Sequence, residues 1–167
     1  MEFTLKPLSP EAVPRALAKA ERYRLLNEPG EAESICLDAL EADPGNQEAL
    51  VTMLLALTEQ FDEDATAALT RARACAERIQ SDYERAYYTG IVWERRAKAR
   101  IKRGVPDCGP RAYEWLREAM TWYEKAESQR PAGNDEAILR WNTCGRILAR
   151  YPQLQPGTEE PVVLSLE

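Results

Sequence analysis

The chain is 167 residues long, 44% hydrophobic and 30% charged, with a net charge of −6. That length and balance give a chain that can bury a core, not a disordered one, and the acidic surplus argues against a general nucleic-acid binder. There is no histidine, which removes the commonest general base and metal ligand and the Ser-His and Cys-His nucleophile pairs with it.

Glycine is scarce and Ala, Glu, Leu and Arg are abundant, which favours helix throughout. Residues 1–10 read as a lead-in, 11–150 as a helical domain and 151–167 as a non-helical tail. The opening MEFTLKPLSPEA lacks an apolar run behind a basic start, so no signal peptide is expected. No stretch approaches the ~18 apolar residues of a membrane span. Cys36, Cys75, Cys108 and Cys144 are far apart, with no CxxC, and three of them fall at apolar helix positions. That pattern suits reduced, buried thiols and a cytoplasmic location. The glycines stand singly at turns, without a phosphate-binding loop, so no cofactor, metal or catalytic residue is expected and the chain does not read as an enzyme.

Ser9-Pro10-Glu11 opens the first predicted helix, since Pro14 is tolerated only in a first turn. Asn27 to Gly30 separates it from a second helix striped by Ala32, Ile35, Cys36, Ala39 and Leu40. Asp43-Pro44-Gly45 is a turn, and Asn46 is placed to cap a third helix over 47–60. That helix is apolar over most of its circumference and belongs in the middle of the structure. A fourth runs to about Gln80. Ser81 and Glu84 form a capping box for a fifth, from Asp82 to about Arg103, stopped by Gly104 and Pro106. Gly109-Pro110 opens a sixth to about Gln129. Asn134 caps a seventh, from Asp135 to Arg150. Pro152, Pro156 and Pro161 keep the tail out of helix, and Val162, Leu164 and Leu166 alternate as in an extended strand.

A spacing recurs across these helices. Ala32, Cys36, Ala39 and Pro44 lie 4, 3 and 5 residues apart, as do Ala119, Tyr123, Ala126 and Pro131 and, more loosely, Ala68, Ala72, Cys75 and Gln80. In the first helices of the pairs, Ala20 with Tyr23 and Gly90 with Trp93 repeat a small-then-aromatic pair. This pattern resembles the tetratricopeptide repeat over about Val13 to Arg150, with repeats at 13–46, 47–82 and 83–133 and a final unpaired helix. It departs from the family at Leu54 and Gln80, which replace a small residue and a proline, and at about seventeen extra residues near 95–111 that split the third repeat.

The resemblance implies an all-α, right-handed solenoid of antiparallel helix pairs whose concave face is lined by the first helix of each pair and takes a peptide or a partner helix. Carried onto this sequence, the register points Leu17, Glu21 and Arg24, then Val51, Leu55 and Thr58, then Tyr87, Ile91, Glu94 and Arg95, then Ile138 and Asn142 toward that face. Tyr87 and Ile91 are the expected anchors, being apolar where the register faces outward. Members of the family that grip a terminal carboxylate do so with Lys, Asn and Arg. The matching positions here hold Leu17, Glu21, Thr52, Glu84 and Tyr88, so such a clamp is not expected.

Arg95, Arg96, Lys98, Arg100, Lys102 and Arg103 form a basic run, and removing those six cations would take the net charge from −6 to −12. Arg96, Arg100 and Arg103 share one helix face, and Arg95, Lys98 and Lys102 another. Such a run suits the negative end of a helix dipole; it also offers Arg96 and Arg100 to an acidic partner or, less favourably, a nucleic acid. Asp62-Glu63-Asp64 suits a helix start and lacks the spacing of a calcium loop. Cys108, near the basic run and a helix start, is the one thiol with surroundings that could lower its pKa. Most aromatics at helical spacing read as core, with Tyr113 or Trp115 a candidate interface anchor beside the interruption. The expected function is a non-catalytic scaffold or adaptor for a protein or peptide. The alternatives are an acidic chaperone for an export or assembly client, and binding of an acidic or nucleic-acid partner through Arg95–Arg103.

Overall fold

The computed structural model describes residues 3–61, 65–104 and 108–157, and among these every regular element is helical. A 3-10 turn at Pro10–Ala12 leads into α1 (Val13–Leu25). Pro14 sits in the first turn of α1, where its missing N–H has no partner to lose. Asn27 closes the helix in the left-handed region at φ 61°, a conformation asparagine tolerates better than most residues. Proline again starts α2 (Pro29–Ala42).

Asn46 Oδ1 accepts from the Ala49 N–H at 2.9 Å and caps α3 (Gln47–Glu59). That helix buries residues around most of its circumference, as its composition requires. α4 (Thr66–Glu77) ends short of the expected Gln80. Other partners take the backbone there: the Gln80 N–H donates to Gln47 Oε1 of α3 at 2.8 Å, and the Ile79 carbonyl accepts from Arg85 Nη1, six residues on, at 2.6 Å.

Ser81 Oγ accepts from the Glu84 N–H at 3.2 Å and caps α5 (Asp82–Arg103), and Gly104 ends it at φ 59°. α6 spans Cys108–Glu127 and α7 spans Glu136–Arg150. Asn134 Oδ1 accepts from the Glu136 N–H at 3.1 Å, so it serves the start of α7 from just outside the helix. Residues 151–157 are not helical, yet Leu154 is buried and the Gln153 carbonyl lies against Gly109, where a Cβ would stand 2.2 Å from that oxygen. The triplet Asp62-Glu63-Asp64, the side chain of Cys108 and the alternating residues Val162, Leu164 and Leu166 lie outside what is described.

Each helix packs on the next in sequence, and α1, α3 and α5 also pack side by side. The core falls into two buried groups. One is built from α1 to α4 around Leu17, Leu50, Leu54 and Leu57, with Val92 of α5 joining it, and the other from α5 to α7 around Leu116, Met120 and Tyr123. Leu55 and Tyr88 pack against both, which makes them the hydrophobic seam between the halves. None of the described helices is long and apolar enough to cross a membrane.

Candidate functional site: the face of the odd-numbered helices

The residues that the repeat register assigns to one face do lie on α1, α3, α5 and α7, but several are not available to a partner. Leu17, Tyr87 and Ile91 are buried, and Glu94 has no exposed surface at all. Tyr87 is enclosed by the rings of Tyr83, Tyr88 and Tyr123, with centroids 5.2 to 6.0 Å away. The expectation that Tyr87 and Ile91 face outward is therefore corrected: they belong to the second core group. Glu21 is exposed, and Val51, Leu55, Arg95, Arg96, Arg100 and Asn142 are partly exposed.

A line of ion pairs crosses this face. Arg24 of α1 donates to Glu21 at 2.6 Å and to Glu59 of α3 at 2.6 and 3.1 Å. From α5, Arg95 donates to Glu59 at 3.3 Å, to Thr58 Oγ1 at 2.7 Å and to the Leu55 carbonyl at 3.2 Å. Burial pulls the Arg95 pKa down against the opposing pull of Glu59. Glu59 is absent from the sequence-derived set, although it follows Leu55 by one helical turn.

Farther along α5, Glu94 is the centre of a buried polar cluster. Its Oε2 accepts from the Tyr123 hydroxyl at 2.5 Å, and its Oε1 accepts from Lys98 and, at 3.3 Å, from Arg140 of α7. Burial and then the Glu94 charge push the Tyr123 hydroxyl pKa up. The same two causes push the Cys144 thiol up to about 12. For Arg140, burial works toward a lower pKa, but a contact with Tyr87 and the charge of Glu94 outweigh it and the pKa is raised. Ala86, Gly90, Glu94 and Ala97 stand at spacings of 4, 4 and 3, so a lone acid within a stripe of small residues was the signal that could have exposed this cluster in the sequence.

The basic run does not form one patch. Arg95 is committed to α3 and Lys98 to Glu94. Arg96 and Arg100 lie over the ring of Trp115 at 5.0 and 5.9 Å, with Arg96 also 6.0 Å from the Phe61 ring. Trp115, a candidate anchor, is thus covered on one side by its own chain.

Where α5 and α7 diverge, a cleft of about 460 Å³ opens. Lys98, Ile101 and Lys102 line one wall, and Thr143, Arg146, Ile147, Arg150 and Tyr151 the other. Among the described residues no three His, Cys, Asp or Glu side chains come together as a metal site requires. Comparison with models of known protein families, with curated proteins and with solved structures gave no match to this chain.

Proposed function

We propose that this protein is a non-catalytic interaction scaffold, built of tetratricopeptide-like helix pairs, that binds a peptide or partner helix on the face of α1, α3, α5 and α7. The observation that carries this reading is the pairing pattern. α1, α3 and α5 pack side by side, and among the described residues no comparable pairing joins α2 to α4 or α4 to α6. A layer whose members touch, backed by a layer whose members are spread, curves toward the touching side and leaves it concave. The small residues of the repeat signature support the same reading: Ala20, Ala32, Ala39, Ala119 and Ala126 are all fully buried. Cys36, Cys75 and Cys144 are free and buried, which suits the reducing cytoplasm.

Photo-crosslinking tests the proposal. A benzophenone side chain at Val51 or Asn142 on the inner face is compared in living cells with one at Ser34 or Thr70 on the exposed even-numbered helices. Adducts of defined mass from the inner positions alone are the expected result. Equal labelling from both faces, or none from Val51 and Asn142, overturns it.

A further inference from the structure

The cleft between α5 and α7 is lined by four cations and no acid. Lys98 and Lys102 are one helical turn apart on α5, and Arg146 and Arg150 one turn apart on α7. Two rows of cations therefore line the two walls, with Ile101, Ile147 and Tyr151 among them and no acid in the lining. Lys98 is neutralised by Glu94. Lys102, Arg146 and Arg150 make no ion pair with any described residue. Like charges one turn apart are mildly destabilising in a helix. The negative ends of the helix dipoles account for Lys102 and Arg150, which lie in the last turns of α5 and α7. They do not account for Arg146, a full turn further in.

We propose that this cleft is a docking site for an acidic segment of a partner protein, a short peptide in which Asp or Glu alternates with aliphatic or aromatic residues. The inference rests on the scaffold reading and names the chemistry of its partner. Charge complementarity fixes the acids: Lys102, Arg146 and Arg150 stand on facing walls without an acid among them, and an acidic segment neutralises them. The strip of Ile101, Ile147 and Tyr151 fixes the apolar residues, because it gives side chains between the acids a dry surface. A nucleic acid fits less well. It would meet a lining with one aromatic ring, Tyr151, where single strands ask for several stacking platforms. The volume of about 460 Å³ admits a few side chains and not a folded domain.

Fluorescence anisotropy on the full chain tests this with three labelled probes. These are a ten-residue peptide alternating Glu with Leu and Tyr, the same peptide with Lys for Glu, and a ten-nucleotide single-stranded DNA. The acidic peptide alone is expected to bind saturably. Lys102→Glu combined with Arg146→Glu is expected to weaken it by about tenfold or more, as is salt raised from about 50 to about 500 mM. A second pair, Arg111→Glu with Arg117→Glu at exposed positions of α6, should leave binding unchanged. Binding of the DNA in preference to the peptide, or peptide binding indifferent to the cleft reversal, overturns the proposal. So does peptide binding seen only after removal of residues 158–167, which would make the chain's own acidic segment the occupant. Crosslinking at Val51 is read separately: if it persists while the peptide fails to bind, the scaffold stands and the cleft assignment alone is lost.

Discussion

The hydroxyl of Tyr123 donates to the carboxylate of Glu94 at 2.5 Å, and neither side chain has any exposed surface. Tyr123 is on α6 and Glu94 on α5, so the bond fixes how the two longest helices meet. Lys98 and Arg140 both serve the other carboxylate oxygen. Tyr123→Phe keeps the ring and leaves Oε2 dry. The expected loss is about 1–3 kcal/mol of stability, the cost of an unsatisfied buried acceptor. Urea denaturation at neutral pH measures it, and a cycle with Glu94→Gln should show the two changes to be non-additive. An unchanged midpoint for Tyr123→Phe would show that the bond contributes nothing net.

Gly90 lies under the same ring. A Cβ there would stand 2.5 Å from Tyr123 Cε1 and 2.8 Å from Cδ1, and the ring is held in place through its hydroxyl. Alanine ordinarily stabilises a helix interior relative to glycine by about 0.5–1 kcal/mol. Gly90→Ala is expected to reverse that sign and cost about 1–3 kcal/mol through overpacking. Gly145→Ala on α7 is the control, since its Cβ would meet only the Trp141 ring at 3.8 Å. It should raise the thermal midpoint while Gly90→Ala lowers it.

Burial pushes the Cys36 and Cys144 thiols from 9.0 up to about 12, and the Tyr88 hydroxyl from 10.0 up to about 12. The folded chain therefore holds these protons more tightly than the unfolded chain. Their contribution to stability is complete below about pH 9 and is lost as pH climbs from 9 toward 12. Stability measured between pH 8 and 11 should fall with a slope that Cys36→Ala makes shallower. Near pH 8, Cys36 and Cys144 should react with iodoacetamide only once denaturant opens the fold, because the thiolate is the nucleophile.

Arg96 and Arg100 are bound to the fold through Trp115. Reversing them to Glu should cost about 0.5–2 kcal/mol of stability from the lost cation–ring contacts and shift tryptophan emission. Lys102→Glu, which touches no described acid or ring, should leave the urea midpoint within about 0.5 kcal/mol of the parent. The two outcomes separate the part of the basic run that holds the molecule together from the part that faces outward.

The ends of α5 were legible because local chemistry sets both: Ser81 caps one and Gly104, at positive φ, ends the other. The end of α4 was not, because Gln47, 33 residues away, captures the backbone of Gln80, while Arg85 of the next helix takes the Ile79 carbonyl. The site divides in the same way. Helical periodicity places Glu21, Val51, Leu55 and Asn142 on odd-numbered helices, and they keep some exposure. It carries no information on how α6 and α7 close over α5, so it cannot tell that Tyr87 and Glu94 are enclosed. The partners that bury Glu94 stand 29 and 46 residues away. The cleft is not legible in the sequence because only Lys98 and Lys102 belong to the basic run; Arg146 and Arg150 join them only when α7 is laid beside α5.

Glu59 receives Arg24 from one neighbouring helix and Arg95 from the other. A single carboxylate on the middle helix thus ties three helices together at their surface, above the apolar seam of Leu55 and Tyr88. Ionic strength reaches the first kind of bond and not the second. Salt therefore screens the tie at Glu59 and leaves the apolar packing beneath it intact.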